Sequence, residues 1–518
     1  MRSDTQPMAT SKLKAGAAPQ PLQAQESKAG FYLVLVDLIF EFGRPQELLP
    51  ALRVIPFGTA LSVLILLKVL MSGKLDFSRL QTKLWLPLFA VMAIHVPIAV
   101  NNFHALMGFK DMFLLYCVYL GIVTFVDSLE KMMMLIKMWM GIHIFLAVMG
   151  VARGGVGIGG FMGDENDFCM VMNMVIPFGY FLLFSATGAV QKMKYLGFLG
   201  TFILAAMASL SRGGFIGLAS VGAYCWYRSP KKMNALVVLL VAVLFMAVLA
   251  PETYWDEIGS STSDETIGEE GTGGERLYTW GIGVEMFLSN PIIGIGQGNF
   301  PWTFYLYEGG RTFHDRSIAG RQAHSAWVTL ISELGLAGIV IIGAMLLQCY
   351  KDLKLVRTRF APVESRQKHG QTVQTGEDVR VYLARAMEGS LIGFIVSSVF
   401  ISTLWYPCLW IMMAFVVALR NISEKQSGEA LLAAVQTKHP RGVSLPRLTE
   451  RPVSPLKQAA ENLFWRSTIS MACTFGTGGD PPSGCSKRPP SKASASEEAT
   501  LYSVRYGEPL SEARTPHG

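Results

Sequence analysis

The sequence predicts an all-α protein that crosses a membrane many times, and three observations lead to this prediction. First, 51% of the 518 residues are hydrophobic and only 16% are charged, and the mean hydropathy is +0.36. These values lie far from the averages of soluble domains. Second, apolar runs long enough to cross a bilayer recur along the chain. Third, one long polar segment, residues 251–322, interrupts this succession.

The apolar runs predict about twelve transmembrane helices, because roughly twenty apolar residues are needed to cross a bilayer. The runs are centred within residues 31–42, 52–72, 84–100, 111–126, 132–151, 168–187, 195–210, 213–227, 234–250, 323–349, 388–404 and 406–420. The membrane domain is therefore predicted to occupy residues 31–420.

The two ends of the chain differ from this region. We expect residues 1–30 to be a disordered cytoplasmic segment. Residues 421–518 are rich in Pro, Gly, Ser, Lys and Arg and have little apolar periodicity, which predicts a disordered cytoplasmic tail. Neither end is expected to carry the activity.

Lysine and arginine are enriched in the cytoplasmic connections of membrane proteins, and this rule orients the predicted helices. With the N-terminus in the cytoplasm, the outer connections hold few basic residues besides the arginines of residues 251–322. The predicted cytoplasmic connections before that loop hold Lys74, Arg79, Lys83, Lys131, Lys137, Lys192, Lys194, Arg228, Lys231 and Lys232. Both termini are thus predicted to be cytoplasmic and residues 251–322 to lie on the outer side.

This outer loop has an unusual charge composition. It contains eleven acidic residues and no lysine, together with the arginines Arg276, Arg311, Arg316 and Arg321. Arginine presents a planar set of donors that matches phosphate oxygens and stays charged in almost any environment. The loop is therefore predicted to bind an anion.

Arg212 interrupts the apolar sequence ASLSRGGFIGL between two predicted helices. An arginine at the bilayer centre costs on the order of 2.5 to 3.5 kcal/mol, so it must reach a boundary or a wet cavity. It could be an interfacial arginine that reaches lipid phosphates. The two glycines that follow it favour a functional role, since they let a ligand or another backbone approach closely.

Arg276 lies at the start of ERLYTWGIGVEMFLSNP, where apolar residues recur at helical spacing. This pattern predicts a short amphipathic helix on the membrane surface, ended by Asn290 and Pro291. In the first turn of such a helix, Arg276 would lie beside backbone N–H groups that also favour anions. The alternative is an ordinary solvated charge paired with Glu275.

His324 stands at the outer start of the tenth predicted helix, close to Arg321. Histidine is the usual general acid or base near neutral pH, so a catalytic role is predicted here. His95 and His143, inside predicted helices, are more typical of structural residues.

Two further motifs suggest weaker hypotheses. The cluster GDENDF at 163–168 could bind a divalent cation, although capping of the next helix by Asn166 or Asp167 is the simpler interpretation. GIGQGNF at 294–300 is interpreted as a turn, because no strand precedes it. None of the seven cysteines has zinc-site spacing, and we predict neither a metal nor another cofactor.

Three segments together resemble the O-antigen ligase and polymerase superfamily of bacterial membrane proteins. These are SRGGFIGL, the helix from Glu275 that leads into NPIIGIGQGNF, and HSAWVTLISELGLAG. The N-terminal FGRPQELLPAL further resembles the branch described as exosortase A-associated putative O-glycosylation ligases. The resemblance covers residues from about 30 to 420.

The resemblance implies an all-helical glycosyltransferase of the bacterial inner membrane. Such a protein takes a glycan from a polyprenyl diphosphate carrier, undecaprenyl diphosphate, and joins it to a lipid or protein acceptor at the periplasmic face without a metal. The family's functional arginines and histidine correspond here to Arg212, Arg276 and His324. We assign substrate binding to Arg321, Arg311, Arg316 and Asn166.

Other functions remain open at this stage. A polymerase would use the same residues with a carrier-linked glycan as acceptor, and the preference for a ligase rests on the N-terminal resemblance alone. A transporter would place ionisable groups at the bilayer midplane, where the sequence offers mainly His95 and His143. A non-catalytic scaffold of an export system would need residues 421–518 and not the loop arginines.

Overall fold

The computed structural model describes residues 22–229, 232–233, 272–361 and 377–438, and within these ranges the chain is helical with no named strand. Short π and 3₁₀ turns supplement the helices, at Ile39–Gly43, Pro50–Val54, Gly160–Met162 and Ser398–Phe400. The helices are α1 (Leu22–Leu38), α2 (Pro45–Leu48), α3 (Phe57–Ser72), α4 (Leu80–Ile98), α5 (Asn102–Phe125), α6 (Leu129–Ala152), α7 (Glu165–Ser185), α8 (Ala189–Ala208), α9 (Arg212–Arg228), α10 (Thr272–Ser289), α11 (Phe300–Glu308), α12 (Ala326–Arg359), α13 (Val379–Ser397) and α14 (Pro407–Lys438).

Seven of the described helices are long and apolar enough to cross a membrane, namely α4, α5, α6, α7, α12, α13 and α14. The chain is therefore an integral membrane protein. The apolar helix α3 is shorter, with 16 residues. The predicted number of about twelve spans is not confirmed, and the predicted span 234–250 lies outside the described residues.

The helical region is longer at both ends than the sequence predicts. Helix α1 begins at Leu22, ahead of the predicted boundary at residue 31, and α14 continues to Lys438, past the predicted boundary at residue 420. The outermost parts of both predicted disordered segments lie outside the described residues, so the prediction stands untested there.

Helix α7 forms the centre of the bundle. It packs against α8, α9 and α13, and almost all of its side chains are buried. Asn173, fully buried on α7, donates hydrogen bonds to the carbonyl oxygen of Gly214 at 2.8 Å and to Ser397 Oγ at 3.2 Å. The amide nitrogen thus joins α7 to α9 and α13, while the buried Asn173 Oδ1 has no hydrogen-bond partner among the described residues.

The connections between helices gather at two ends of the bundle. At one end, which we call the loop end, the Tyr406 hydroxyl donates to the Asp167 carboxylate at 3.2 Å, and the Asn101 amide donates to Asn299 Oδ1 at 2.7 Å. These contacts bring together connections that are far apart in sequence. The loop end contains residues 39–56, 99–101, 153–164, 209–211, 290–325 and 401–406.

The opposite end, the basic end, contains buried ion pairs. Glu388 accepts a hydrogen bond from Tyr224 at 2.8 Å and pairs with Arg228 at 3.3 Å and Arg357 at 3.0 Å. Arg79 likewise pairs with Glu424. Of the basic residues that the sequence assigns to cytoplasmic connections, Lys74 and Arg79 lie in a connection of this end, and Lys231 lies outside the described residues. Others lie in helices that begin or end here, namely Lys83, Lys131, Lys137, Lys192, Lys194 and Arg228. The alternation of the chain thus agrees with the predicted topology, while the orientation in the membrane stays a prediction.

Helix α12 is not the continuous span that the sequence predicts. At Gly335 the backbone adopts φ 61° and ψ −153°, which breaks the helical hydrogen bonding inside the helix. The freed amides of Leu336 and Ala337 donate instead to the carbonyl oxygens of Pro291 and Ile292, at 2.8 and 2.9 Å. The break is therefore filled by the segment that follows α10.

The predicted turn at 294–300 is buried against this break. The Glu333 carboxylate accepts hydrogen bonds from the amides of Gly298 at 2.8 Å and Phe300 at 3.0 Å, and from Trp405 Nε1 at 2.8 Å. On its other side, Gln297 Oε1 bonds to His95 Nδ1 at 2.9 Å. We call residues 291–300 the plug, because they fill the space between α4, α5 and α12.

We predict that Gly335→Ala destabilises the protein. The added methyl carbon would lie 2.7 Å from the Pro291 carbonyl oxygen, in a backbone conformation with positive φ, and such strained residues cost of order 1–3 kcal/mol. The measurement is the thermal unfolding midpoint of the purified protein in detergent. Gly343→Ala in the same helix is the control, since its added carbon meets nothing within 4 Å; equal midpoints for the two variants would contradict the prediction.

Candidate functional site

The N-termini of two helices lie side by side at the loop end. Asp164 caps α7, since its Oδ1 accepts hydrogen bonds from the amides of Asn166 at 2.8 Å and Asp167 at 3.4 Å. The sequence-based choice of Asn166 or Asp167 as the cap is therefore wrong. The residue one turn earlier does this work, because only a residue with extended backbone ahead of the helix can reach these amides.

Asn166 instead joins α7 to α9. Its Oδ1 accepts a hydrogen bond from Ser211 Oγ at 2.7 Å, and its Nδ2 donates to Asp164 Oδ1 at 2.9 Å. Ser211 is in turn the cap of α9 and accepts from the Gly214 amide at 2.9 Å. Arg212, the first residue of α9, is half-buried beside this chain of hydrogen bonds.

The two glycines after Arg212 serve helix packing. A methyl carbon at Gly213 would lie 2.9 Å from Phe400 Cβ, and one at Gly214 would lie 2.3 Å from Cys169 Sγ. Of the two possibilities left open by the sequence, a ligand or another part of the chain, the structure shows the second, since α7 and the turn before α14 occupy this space. These glycines matter because they let α9 approach its neighbours closely.

The predicted helix at Arg276 is present as α10. It already includes Thr272, so Arg276 lies beyond the first turn, and the expected help from unpaired N-terminal amides does not apply because that effect fades within one turn. The buried face of α10 carries Ile282 and Met286. Leu277, Val284 and Leu288, which belong to the predicted membrane-facing side, are exposed.

His324 lies in the connection that leads into α12. Its backbone is left-handed, with φ 46°, a conformation that is uncommon outside glycine and often found at functional sites. The preceding carbonyl, of Ala323, accepts a hydrogen bond from Trp280 Nε1 of α10 at 2.9 Å. Trp280 thereby fixes this connection against the helix that carries Arg276.

The structure brings Arg212, Arg276 and His324 into electrostatic contact. Partial burial and then the charge of Arg212 lower the pKa of Arg276, while Asp164 opposes the shift. The His324 ring is open to solvent on one side, yet the surrounding protein desolvates it; this burial, followed by the charge of Arg276, lowers its pKa. The influence of one charge on another falls with distance, so Arg276 lies near both Arg212 and His324.

Two carboxylates that sequence analysis did not assign to the site belong to this cluster. Asp164 and Glu275 both act on the pKa values of Arg276 and His324. Asp164 was visible in the sequence as part of an acidic motif, and Glu275 as the neighbour of Arg276. Among the described residues, no group of three or more His, Cys, Asp or Glu side chains is arranged to hold a metal ion.

The remaining loop arginines separate into two sets. Arg321 and Arg316 pair with Glu275, at 2.5 and 3.7 Å, and so lie at the edge of the cluster. Arg311 forms two hydrogen bonds to Glu285, at 2.8 and 2.7 Å. Glu285 is ten residues, about 15 Å, along α10 from Glu275, so the structure does not bring Arg311 to the other site residues.

We predict that Arg276→Gln raises the pKa of His324. A neighbouring cation disfavours the imidazolium form, and removal of that cation makes protonation easier. The measurement is an NMR titration of histidine-labelled protein, with the His324 signal assigned by its loss in His324→Gln. Arg153→Gln, which removes an exposed loop-end arginine, is the control and should leave the titration unchanged. An unaltered His324 pKa in Arg276→Gln would show that the two groups do not interact.

Comparison with known proteins adds to this geometry. Residues 197–343 match the family model described as O-antigen ligase, and this range includes Arg212, Arg276 and His324. A search of curated proteins finds no significant match. The match does not reach FGRPQELLPAL, so the exosortase-associated branch is not confirmed. Residues 197–343 of this membrane protein are thus similar to the O-antigen ligase superfamily, which supports a glycan-transferring function of the ligase or polymerase type.

Proposed function

We propose that this protein is a glycan ligase of the bacterial inner membrane. It transfers a saccharide from a polyprenyl diphosphate carrier, undecaprenyl diphosphate, to an acceptor hydroxyl at the periplasmic face, without a metal. In this proposal the loop end faces the periplasm and both termini are cytoplasmic, in agreement with the basic residues at the opposite end of the bundle.

One observation supports the proposal above the others. Arg212, Arg276 and His324 come from three separate parts of the chain, and after burial the charge of Arg212 contributes to the lowered pKa of Arg276 and that of Arg276 to the lowered pKa of His324. Two cations that lie near each other make a strong site for a ligand with two negative groups. A diphosphate carries such groups.

The arginines would act on the leaving group. Cleavage of the bond between the anomeric carbon and the diphosphate oxygen leaves its electron pair on the diphosphate, so negative charge grows there in the transition state. Arg212 and Arg276, already placed and partly desolvated, would stabilise this charge without reorganisation. Arg321 would bind the diphosphate as well, once it is released from Glu275. Asn166 would hold the start of α9 in position through its hydrogen bond with Ser211.

His324 would act on the acceptor. Because burial and Arg276 hold its pKa below the usual range, the imidazole is neutral at pH 7 and can accept a proton. The acceptor hydroxyl oxygen would attack the anomeric carbon while its proton passes to His324. The left-handed backbone at His324 and the bond between Trp280 and Ala323 would hold the ring in place.

The transporter alternative has less support. His95 bonds to Gln297, and His143 Nδ1 bonds to the Trp139 carbonyl oxygen at 2.7 Å. Both rings are fully buried, and Nε2 of each has no hydrogen-bond partner among the described residues, so neither ring opens onto solvent. Arg212, Arg276 and His324, the candidate site residues, lie at the loop end and not near the middle of the spans.

We predict that Arg212→Lys, Arg276→Lys and His324→Ala each lower the transfer rate about 10²–10³-fold, the loss that follows removal of one preorganised group that stabilises transition-state charge. Lysine keeps the charge but not the planar pair of donors. The measurement is transfer by purified protein from a lipid diphosphate-linked oligosaccharide to a supplied acceptor, with released carrier measured in parallel. Arg153→Lys is the matched control and should transfer normally. Full activity in well-folded Arg212, Arg276 and His324 variants would favour the scaffold alternative.

We also predict that a chelator leaves the rate unchanged, because the arginines supply the positive charge. The same assay separates ligase from polymerase: a ligase releases one carrier and forms a product on the acceptor, whereas a polymerase lengthens a carrier-linked glycan. Loss of activity with chelator, restored by a divalent cation, would point to the carboxylates at 164–167 as a metal site.

A further inference from the structure

Residues 309–323, which we call the strap, connect α11 to His324. The strap lies along α10, because Arg311 contacts Glu285 and Arg321 contacts Glu275. Most of the strap is exposed. Three of its residues are buried, namely Phe313, Ile318 and Ala323. The strap is therefore fixed to the protein at these three points, and its arginines lie in the exposed stretches.

The turn that carries Arg321 lies between two of the buried residues, Ile318 and Ala323. The four residues of this turn, 319–322, are exposed. Gly320 among them has φ 89°, and a methyl carbon added there would meet nothing within 4 Å. The chain is thus packed on both sides of the turn and loosely packed within it. Arg321 can therefore change its partner while the rest of the strap stays in place.

One carboxylate of α10 pairs with two arginines of the strap. Glu275 Oε1 lies 2.5 Å from Arg321 Nη1, and Glu275 Oε2 lies 3.7 Å from Arg316 Nη2. Only 16% of the Glu275 side chain is exposed, whereas the side chains of Arg321 and Arg316 are 49% and 62% exposed. Ion pairs with such exposed partners are weak. A competing anion can therefore replace Glu275 at Arg321.

The pair of Glu275 and Arg321 lies beside the proposed transfer site. Glu275 directly precedes Arg276 on α10, and the strap that carries Arg321 leads into His324. Burial and then the charge of Arg276 lower the pKa of His324. The charge of Arg321 lowers this pKa further, and the charges of Asp164 and Glu275 oppose the shift. An anion bound at Arg276 would therefore lie close to Arg321.

A diphosphate has the chemistry to take Arg321 from Glu275. Phosphate oxygens match the two parallel donors of a guanidinium, and two linked phosphates can bind more than one arginine. An unpaired Glu275 carboxylate would repel such a ligand, because like charges at short distance disfavour each other. Arg316 would remain paired with Glu275 and offset this repulsion. Two arginines on one carboxylate thus allow one to leave while the other stays.

We propose that Glu275 is a positioning residue that holds Arg321 beside the site in the empty protein and releases it to the diphosphate of the donor, while Arg316 stays on Glu275. Glu275 acts through Arg321 and does not itself contact the donor. The identity of the donor rests on the proposed function, whereas the exchange of partners at Arg321 requires only a ligand with a diphosphate group.

The exchange is tested with inorganic pyrophosphate as the probe and the full-length protein in lipid nanodiscs, by isothermal titration calorimetry in metal-free buffer. Arg321→Gln should weaken pyrophosphate binding about fivefold, the loss expected for one hydrogen-bonded contact. Glu275→Gln should tighten binding about threefold, because no exposed ion pair has to be broken. In the double variant Glu275→Gln/Arg321→Gln this tightening should disappear, since no Arg321 remains to be released.

Glu285→Gln is the matched control, since Glu285 pairs with Arg311 farther along the same helix, and it should leave pyrophosphate binding unchanged. Equal tightening by Glu275→Gln with and without Arg321 would show that Glu275 only repels anions, and the proposal would be wrong. It would also be wrong if the unaltered protein did not bind pyrophosphate. Thermal midpoints equal to that of the unaltered protein show that the variants are folded.

The transfer assay provides a second measurement. Glu275→Gln should lower the donor KM about threefold and Arg321→Gln should raise it, while the acceptor KM stays unchanged. A merely structural role of Glu275 would lower kcat without lowering the donor KM, which would contradict the proposal. If the unaltered protein transfers no glycan although the pyrophosphate results hold, the proposed function fails and the exchange remains. If transfer is normal and Arg321→Gln leaves the donor KM unchanged, the exchange fails and the proposed function remains.

Discussion

The rest of the loop end has to hold Arg276 near a second cation, Arg212, in a partly desolvated position. Burial is the largest cause of the lowered pKa of Arg276, and the charge of Arg212 lowers it further. Asp164 opposes both effects and acts on this pKa more strongly than Arg212 does, and Glu275 acts in the same direction as Asp164. The carboxylates therefore stabilise the charge of Arg276 at a partly buried position, where electrostatic interactions are screened less than in open water.

The break in helix α12 helps to position the segments that carry Arg276 and His324. The Glu333 carboxylate accepts hydrogen bonds from backbone amides of the plug. Carbonyl oxygens of the plug in turn accept hydrogen bonds from the amides that the break at Gly335 leaves free. The plug follows α10, which carries Arg276, and it packs against α12, which begins just after His324. The positions of Arg276 and His324 thus depend on backbone contacts inside the bundle, which are stronger constraints than exposed ion pairs such as that of Arg311 with Glu285.

Sequence patterns were least informative about side chains whose environment is set by close packing between distant segments. The glycines after Arg212 left open the approach of a ligand or of another backbone, and Phe400 and Cys169 occupy that space. Helix α10 was predicted with an apolar face toward the membrane, but its spacing gave no sign of the second face, with Ile282 and Met286, which the plug, α11 and α12 cover. The sequence analysis did not select Glu333, because a single acidic residue in an apolar run does not indicate which backbone amides it binds.

The sequence by itself determined that the chain is a helical membrane protein with a polar loop between apolar helices, because hydrophobicity and period are local properties. It also selected Arg212, Arg276 and His324 as candidates, since isolated charges at the edges of apolar runs stand out. Only the tertiary structure shows that Arg276 lies within the electrostatic influence of Arg212 and acts on His324, that Asp164 and Glu275 act on the same groups, and that Arg311 pairs with Glu285. The physical reason is that contacts between distant segments arise from the packing of helices and the break at Gly335, which no local pattern encodes.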